Sequence, residues 1–309
     1  MQRSWISAPF LLQRRESNMG EQHSCCSQNH RIGGQALIEG VLMLSPTKRA
    51  LAVRNPEGEI VVEQLPASKP TWGENIPLVR GSIRLVKQMA VGMRAMTRSA
   101  TIAGGEDTSA DNGGWLVLFS ALVAIVIFVL LPNTLLGYFG TKLGLTQSVG
   151  GKIALNFVEG ILRIAIFLLY IYLATRLSDI KRVWMYHGAE HMTIACNEHN
   201  LPLEVENVKK FSRLHPRCGT AFLCLVMVIS ILVISLTGWG TWYYNLIWRL
   251  LLLPVIAGIS YELITWAGRK QNWFTRLISA PGLWLQLLTT AEPTSDMIEV
   301  AIAALKAVR

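Results

Sequence analysis

Residues 115–136 read WLVLFSALVAIVIFVLLPNTLL and carry no charge. A helix rises 1.5 Å per residue, so about 20 apolar residues cross a hydrocarbon core of roughly 30 Å. This run is long enough. The chain around it is 51% hydrophobic and only 16% charged, a balance that favours an integral membrane protein over a soluble domain. Three further runs read as spans: 153–174, interrupted by Asn156, Glu159 and Arg163; 220–236, shorter but strongly apolar; and 247–267, carrying Arg249 and Glu262. The expected fold is therefore mainly α, a multi-pass helical membrane protein with about four transmembrane helices over 115–267. Residues 281–290 are too short to cross and read as an interfacial or re-entrant piece.

Positive charge gives the orientation. Arg80, Arg84, Lys87, Arg94 and Arg98 precede the first span. Arg176, Lys181, Arg182, Lys209, Lys210, Arg213 and Arg217 lie between the second and third, and Arg269, Lys270 and Arg276 follow the fourth. The other two connections hold only Lys142 and Lys152, and then none; the latter carries the aromatic cluster Trp239, Trp242, Tyr243 and Tyr244. Both termini and the His-rich loop 176–219 are thus expected in the cytoplasm. The net charge of +9 gathers on that side, so the partner it implies is a bilayer with anionic headgroups, not nucleic acid. A homo-oligomer or a membrane-protein partner stays open.

Residues 1–15 lack the continuous apolar core of a signal peptide. Met19 is an alternative start, and 1–30, including His23 and His30, is expected to be disordered. Cys25, Cys26, Cys196, Cys218 and Cys224 make no disulfide framework. Residues 31–76 read as a small cytoplasmic β unit, with strands at 50–54 and 60–64 around the turn Asn55-Pro56-Glu57-Gly58. Before them Gly33-Gly34-Gln35-Ala36-Leu37-Ile38-Glu39-Gly40 reads as a bulged or tightly turned strand, or as a close approach to a ligand. Residues 77–100 form an amphipathic helix with Arg80, Arg84, Lys87, Arg94 and Arg98 on one stripe and Leu78, Leu85, Met89, Met93 and Met96 opposite. It lies on the membrane surface or packs on the protein's own cytoplasmic domain. Residues 268–309 are a cytoplasmic segment ending in a helix, with Asp296 as N-cap, Glu299 at the box position, and Ile298, Ile302 and Leu305 facing inward.

The chemistry sits in His187-Gly188-Ala189-Glu190-His191. Imidazoles four apart on a helix project from one face, as two ligands of one divalent metal must. Glu198 falls in phase with them, Glu190 sits at the edge of that face and Cys196 points away. Ser178-Asp179 offers an N-cap for this helix. His215-Pro216-Arg217-Cys218-Gly219 follows at the entrance to the third span, and Glu262 lies at similar depth. Imidazole and thiolate suit zinc, while carboxylates beside imidazoles suit iron or manganese equally well. The metal candidates are His187, His191, Glu198, His215, Cys218 and Glu262, with Glu190 as general base toward water. His199 is off the ligand face. Glu159 and Arg163, spaced i,i+4, neutralise one another.

Five motifs in order carry a resemblance: 33–41 (GGQALIEGV), 186–191 (YHGAEH), 215–220 (HPRCGT), 260–262 (SYE) and 288–293 (LTTAEP). From about Arg31 to the end the chain resembles the YqhQ family, uncharacterised bacterial membrane proteins that carry the label of a predicted metal-dependent enzyme. Met192 stands where relatives are expected to have lysine. The resemblance implies a multi-pass protein of the bacterial cytoplasmic membrane and supplies no substrate. The His/Glu/His spacing also looks like that of inverzincin peptidases, where a distant glutamate, here Glu262, completes the site. The expected function is a membrane-embedded metal-dependent enzyme of hydrolytic type. A scaffold whose polar motifs are structural, and solute transport along Asn156, Glu159 and Arg163, are its competitors.

Overall fold

The computed structural model describes residues 32–66, 71–104, 113–215, 218–267 and 273–309. The expected disorder of 1–30 and the side chains of Pro216, Arg217, Arg269, Lys270 and Arg276 lie outside the described residues.

Four strands, β1 (Gly33–Leu37), β2 (Gly40–Leu44), β3 (Arg49–Arg54) and β4 (Ile60–Leu65), form an antiparallel meander in chain order. Alternate side chains point to opposite faces of a strand, and here both faces are buried. Ala36, Val41, Met43, Ala50 and Ala52 enter one core, and Leu37, Leu42, Leu51 and Val53 enter another. The β3–β4 turn is the one read from Asn55-Pro56-Glu57-Gly58: Gly58 sits at φ +87° and its N–H donates to Asn55 O at 3.0 Å.

The first face is covered by α5 (Ser178–Glu198) and α10 (Ser295–Val308). The second is covered by α1 (Val79–Gly104), through Val91, Ala95 and Met96. The amphipathic helix therefore packs on the protein itself. Its other half lies against α8 (Trp242–Ala267), where Arg80 Nε donates to Glu262 Oε1 at 2.7 Å and Ser82 Oγ to Pro254 O at 2.7 Å. Val86, Met89 and Met93 stay exposed along it.

Among the described residues, three stretches are long and apolar enough to cross a membrane: Leu118–Lys142, Val149–Ala174 and Trp242–Ala267. The first consists of α2 (Gly113–Ile125), a π-helical turn at Val126–Leu130, and α3 (Leu131–Lys142). The second is α4 (Val149–Ala174) and the third is α8. The expected span at 220–236 is the helix α7 (Gly219–Ser235), whose 17 residues measure about 25 Å. After the short α6 (Val205–Val208) and α7, the run at 281–290 belongs to α9 (Trp273–Thr289), which packs along α7 with Gly282 against Ala221.

Two expected caps are different. Leu177 precedes α5 and Thr294 precedes α10, neither with a side-chain cap, so Ser178 and Asp296 fall inside the first turn. There Asp179 and Asp296 act on the helix dipole rather than on an orphan N–H. Ile298, Ile302 and Leu305 do face the core.

Candidate metal centre

Helix α5 is buried without a break from Tyr186 to Asn197. One side lies on the sheet. Across the other runs the segment after α9, where Ala291 N–H donates to Trp184 O at 2.9 Å. A Cβ on Gly188 would stand 2.2 Å from Ala291 O, so glycine is what allows the crossing.

His187 and His191 sit one turn apart with ring centroids 4.4 Å apart. His187 Nδ1 lies 2.8 Å from Thr289 O and His191 Nδ1 lies 2.7 Å from Arg213 O. A carbonyl only accepts, so each Nδ1 carries the proton and each Nε2 keeps its lone pair. His187 Nε2 is 3.2 Å from Cys218 Sγ, and His191 Nε2 is buried with no hydrogen-bond partner. Ligand atoms of His187, His191 and Cys218 all lie within 4.8 Å of one another. Zinc bond lengths in a tetrahedron separate N and S ligands by roughly 3.5 Å. The set therefore fits zinc in element type and spacing.

Cys218 caps α7 and its sulfur accepts from Thr220 N–H at 3.4 Å and from Thr220 Oγ at 3.3 Å. Burial opposes the thiolate. The nearby His191 and the Thr220 donors outweigh it and hold the thiol below its ordinary value. Burial also lowers His191, favouring the neutral ring that a ligand needs.

Glu190 is 4% exposed, and its Oε2 has no partner. Burial pushes the carboxyl up to about 8, against the pull of His187 and with a push from Cys218. It presses on strand β1, where a Cβ on Gly34 would stand 2.8 Å from Glu190 Oε1. Gly34 of the first motif thus gives way to this carboxyl group.

The other candidates are placed elsewhere. His215 Nε2 meets Glu198 Oε2 at 3.3 Å, and the His215 and His191 rings stand 5.7 Å apart. Neither His215 nor Glu198 joins the His187, His191, Cys218 cluster. Glu262 is held by Arg80 on α1. His199 is exposed, against Phe211. Residues not singled out from sequence hold the site in place. Gln286 Oε1 accepts from His215 N–H and its Nε2 donates to His215 O, both at 2.8 Å. Arg213 Nη1 donates to Thr290 Oγ at 2.8 Å. The run Leu288-Thr289-Thr290 was a signal for this end of α9 but named no role.

The class is thus a mainly helical protein with three membrane-length helices and a small sheet, and a buried His/His/Cys cluster beside it. Residues 76–309 match the profile of a family described as "Protein of unknown function (DUF1385)". The chain belongs to that family. It is 33% identical over 286 residues to "Uncharacterized protein YqhQ" of Bacillus subtilis (strain 168), which covers 87% of this chain and 89% of that protein. No solved structure matches.

Proposed function

We propose that the chain is a membrane-embedded metal-dependent enzyme, hydrolytic in type. In this reading four helices cross a bacterial cytoplasmic membrane, α7 being the short one, and both termini and the site face the cytoplasm. The basic residues on that side meet anionic headgroups. His187, His191 and Cys218 hold a divalent cation, zinc first, which when bound supplies Lewis acidity to an oxygen of the substrate. Three protein ligands leave a fourth position for that substrate, the pattern of catalytic rather than structural zinc. Glu190 is the general base, its free oxygen beside the cluster and out of solvent. His215 and Glu198 orient the loop that carries Cys218.

One observation carries this reading: His191 Nε2 is buried with a lone pair and no donor. Burying such an atom unpaired costs on the order of 1–3 kcal/mol, which a cation removes. The scaffold alternative draws on the Gln286–His215 pairing, which docks the loop with no need of metal, but it leaves His191 Nε2 and Glu190 Oε2 unexplained. Elemental analysis of detergent-purified protein separates the two. Wild type and Glu262→Gln are expected to carry about one metal per chain, and Cys218→Ser and His187→Ala/His191→Ala to carry little. Equal content in wild type and all three variants sinks the proposal.

A further inference from the structure

A second polar node lies inside the helical bundle. Glu159 on α4 is fully buried. It pairs with Arg163 on its own helix and, through Oε2, with Arg249 Nη2 on α8 at 2.5 Å. Arg163 Nε also donates to Phe128 O at 2.8 Å, within the π-helical turn of the first span. Such turns expose a backbone carbonyl and occur often at functional sites. The node ties the three membrane-length helices together, but its charges do not cancel: two guanidinium groups face one carboxylate.

The unpaired atoms have one sign. Arg249 is 7% exposed, and its Nε and Nη1 are buried with no partner. Asn133 on α3 is 5% exposed, and its Nδ2 is likewise without an acceptor. The first span and α4 run antiparallel, with Gly140 against Leu155 and Phe128 against Arg163, so Asn133 stands level with Glu159. Three N–H-bearing nitrogens and one surplus positive charge thus lie at about one depth in the bundle. Both oxygens of Glu159 already take guanidinium partners, and Arg249 Nε and Nη1 make no bond to either.

An open cavity of about 340 Å³ lies on the same side of the bundle, nearer its end and remote from the sheet, lined by Lys152, Gly238, Trp239, Thr241 and Tyr244 among others. Lys152, Asn156 and Glu159 share one face of α4 at i, i+4 and i+7. Asn156 donates to Gly238 O at 2.8 Å, on the wall of that cavity. A cation at the mouth, Lys152, favours negative charge there.

We propose that Arg249 and Asn133 bind a small monovalent inorganic anion of chloride size beside the Glu159 node. It neutralises the surplus guanidinium and accepts from the three idle nitrogens. A bulky anion has no place in a close-packed interior, and a lipid phosphate is held at the headgroup level by its own chain.

Thermal melting of the purified chain in sodium chloride or bromide, against sodium gluconate at equal ionic strength, tests this. Saturable stabilisation by the halides is expected, with a midpoint rise of about 2–4 °C. Arg249→Gln is expected to lose it. Where that variant does not fold, Asn133→Leu decides, with halide affinity falling about tenfold. Lys152→Gln is expected to shift the curve to higher halide and keep its plateau. Superimposable halide and gluconate curves for wild type overturn the site, since water alone then serves the donors. Unchanged halide affinity in Arg249→Gln or Asn133→Leu overturns it too.

Discussion

Gly34 and Gly33 stand side by side in strand β1 with opposite surroundings. A Cβ at Gly34 meets Leu42 O at 2.7 Å and Glu190 Oε1 at 2.8 Å, whereas one at Gly33 meets nothing within 4 Å. Gly34→Ala is expected to cost about 1–3 kcal/mol, the range for forcing a methyl into a packed site, and Gly33→Ala within about 0.5 kcal/mol. Paired thermal melts check the contrast. Glu39 gives a pH prediction. Its side chain accepts from Arg182 Nε and Nη2 at 2.5 Å each, and Arg182 is half exposed. The Arg182 hydrogen bonds outweigh burial and hold the carboxyl below its ordinary 4.5. A depressed folded value means that stability is gained when the carboxyl ionises. The contribution is therefore full above about pH 5 and is lost as pH falls through the folded value. Solvent screening keeps it under about 1 kcal/mol. Melts of wild type and Glu39→Gln are expected to differ at pH 7 and to converge as pH falls below the folded value.

Among the elements, legibility followed the physics of burial. Strands β3 and β4 were read because a turn signal joins them, and the glycine-rich stretch that holds β1 was read as a tightly turned strand, but β2 (GVLML) is apolar on both faces and lacks the alternation that marks a half-buried strand. The i,i+4 histidines were legible because α5 is regular there. Glu262 was singled out because a carboxylate in an apolar run reads as functional; in the fold it also pairs with Arg80, 182 positions away, which no local pattern announces. Thr289 and Arg213 were invisible as site residues because they act on the histidines through carbonyls, which any residue type supplies. Gln286 is different, because its side chain makes both bonds to His215. Gln286→Leu leaves a buried N–H and a buried C=O unpaired, a loss of about 2–4 kcal/mol. Faster amide exchange at His215 is the expected readout, and unchanged protection would show that the loop is held some other way.

At the scale of the whole molecule, α1 is the link between sheet and bundle. One half is packed on the sheet and the other on α8, where a Cβ on Gly258 would stand 2.2 Å from Leu78 O. The Arg80–Glu262 pair beside it is partly exposed and contributes little by itself, about 0–1 kcal/mol, so close packing at Gly258 does most of the holding. Gly258→Val is expected to pry α1 from α8 and raise proteolysis near Trp72, whereas Arg80→Ala changes it little. Limited digestion of the two variants makes the comparison.

The same strut has a mechanical consequence. A helix embedded in lipid tilts when its hydrophobic length and the bilayer thickness disagree. If α8 lies in lipid as proposed, α1 would carry its tilt to the strand against Glu190, making acyl-chain length a handle on the proposed site.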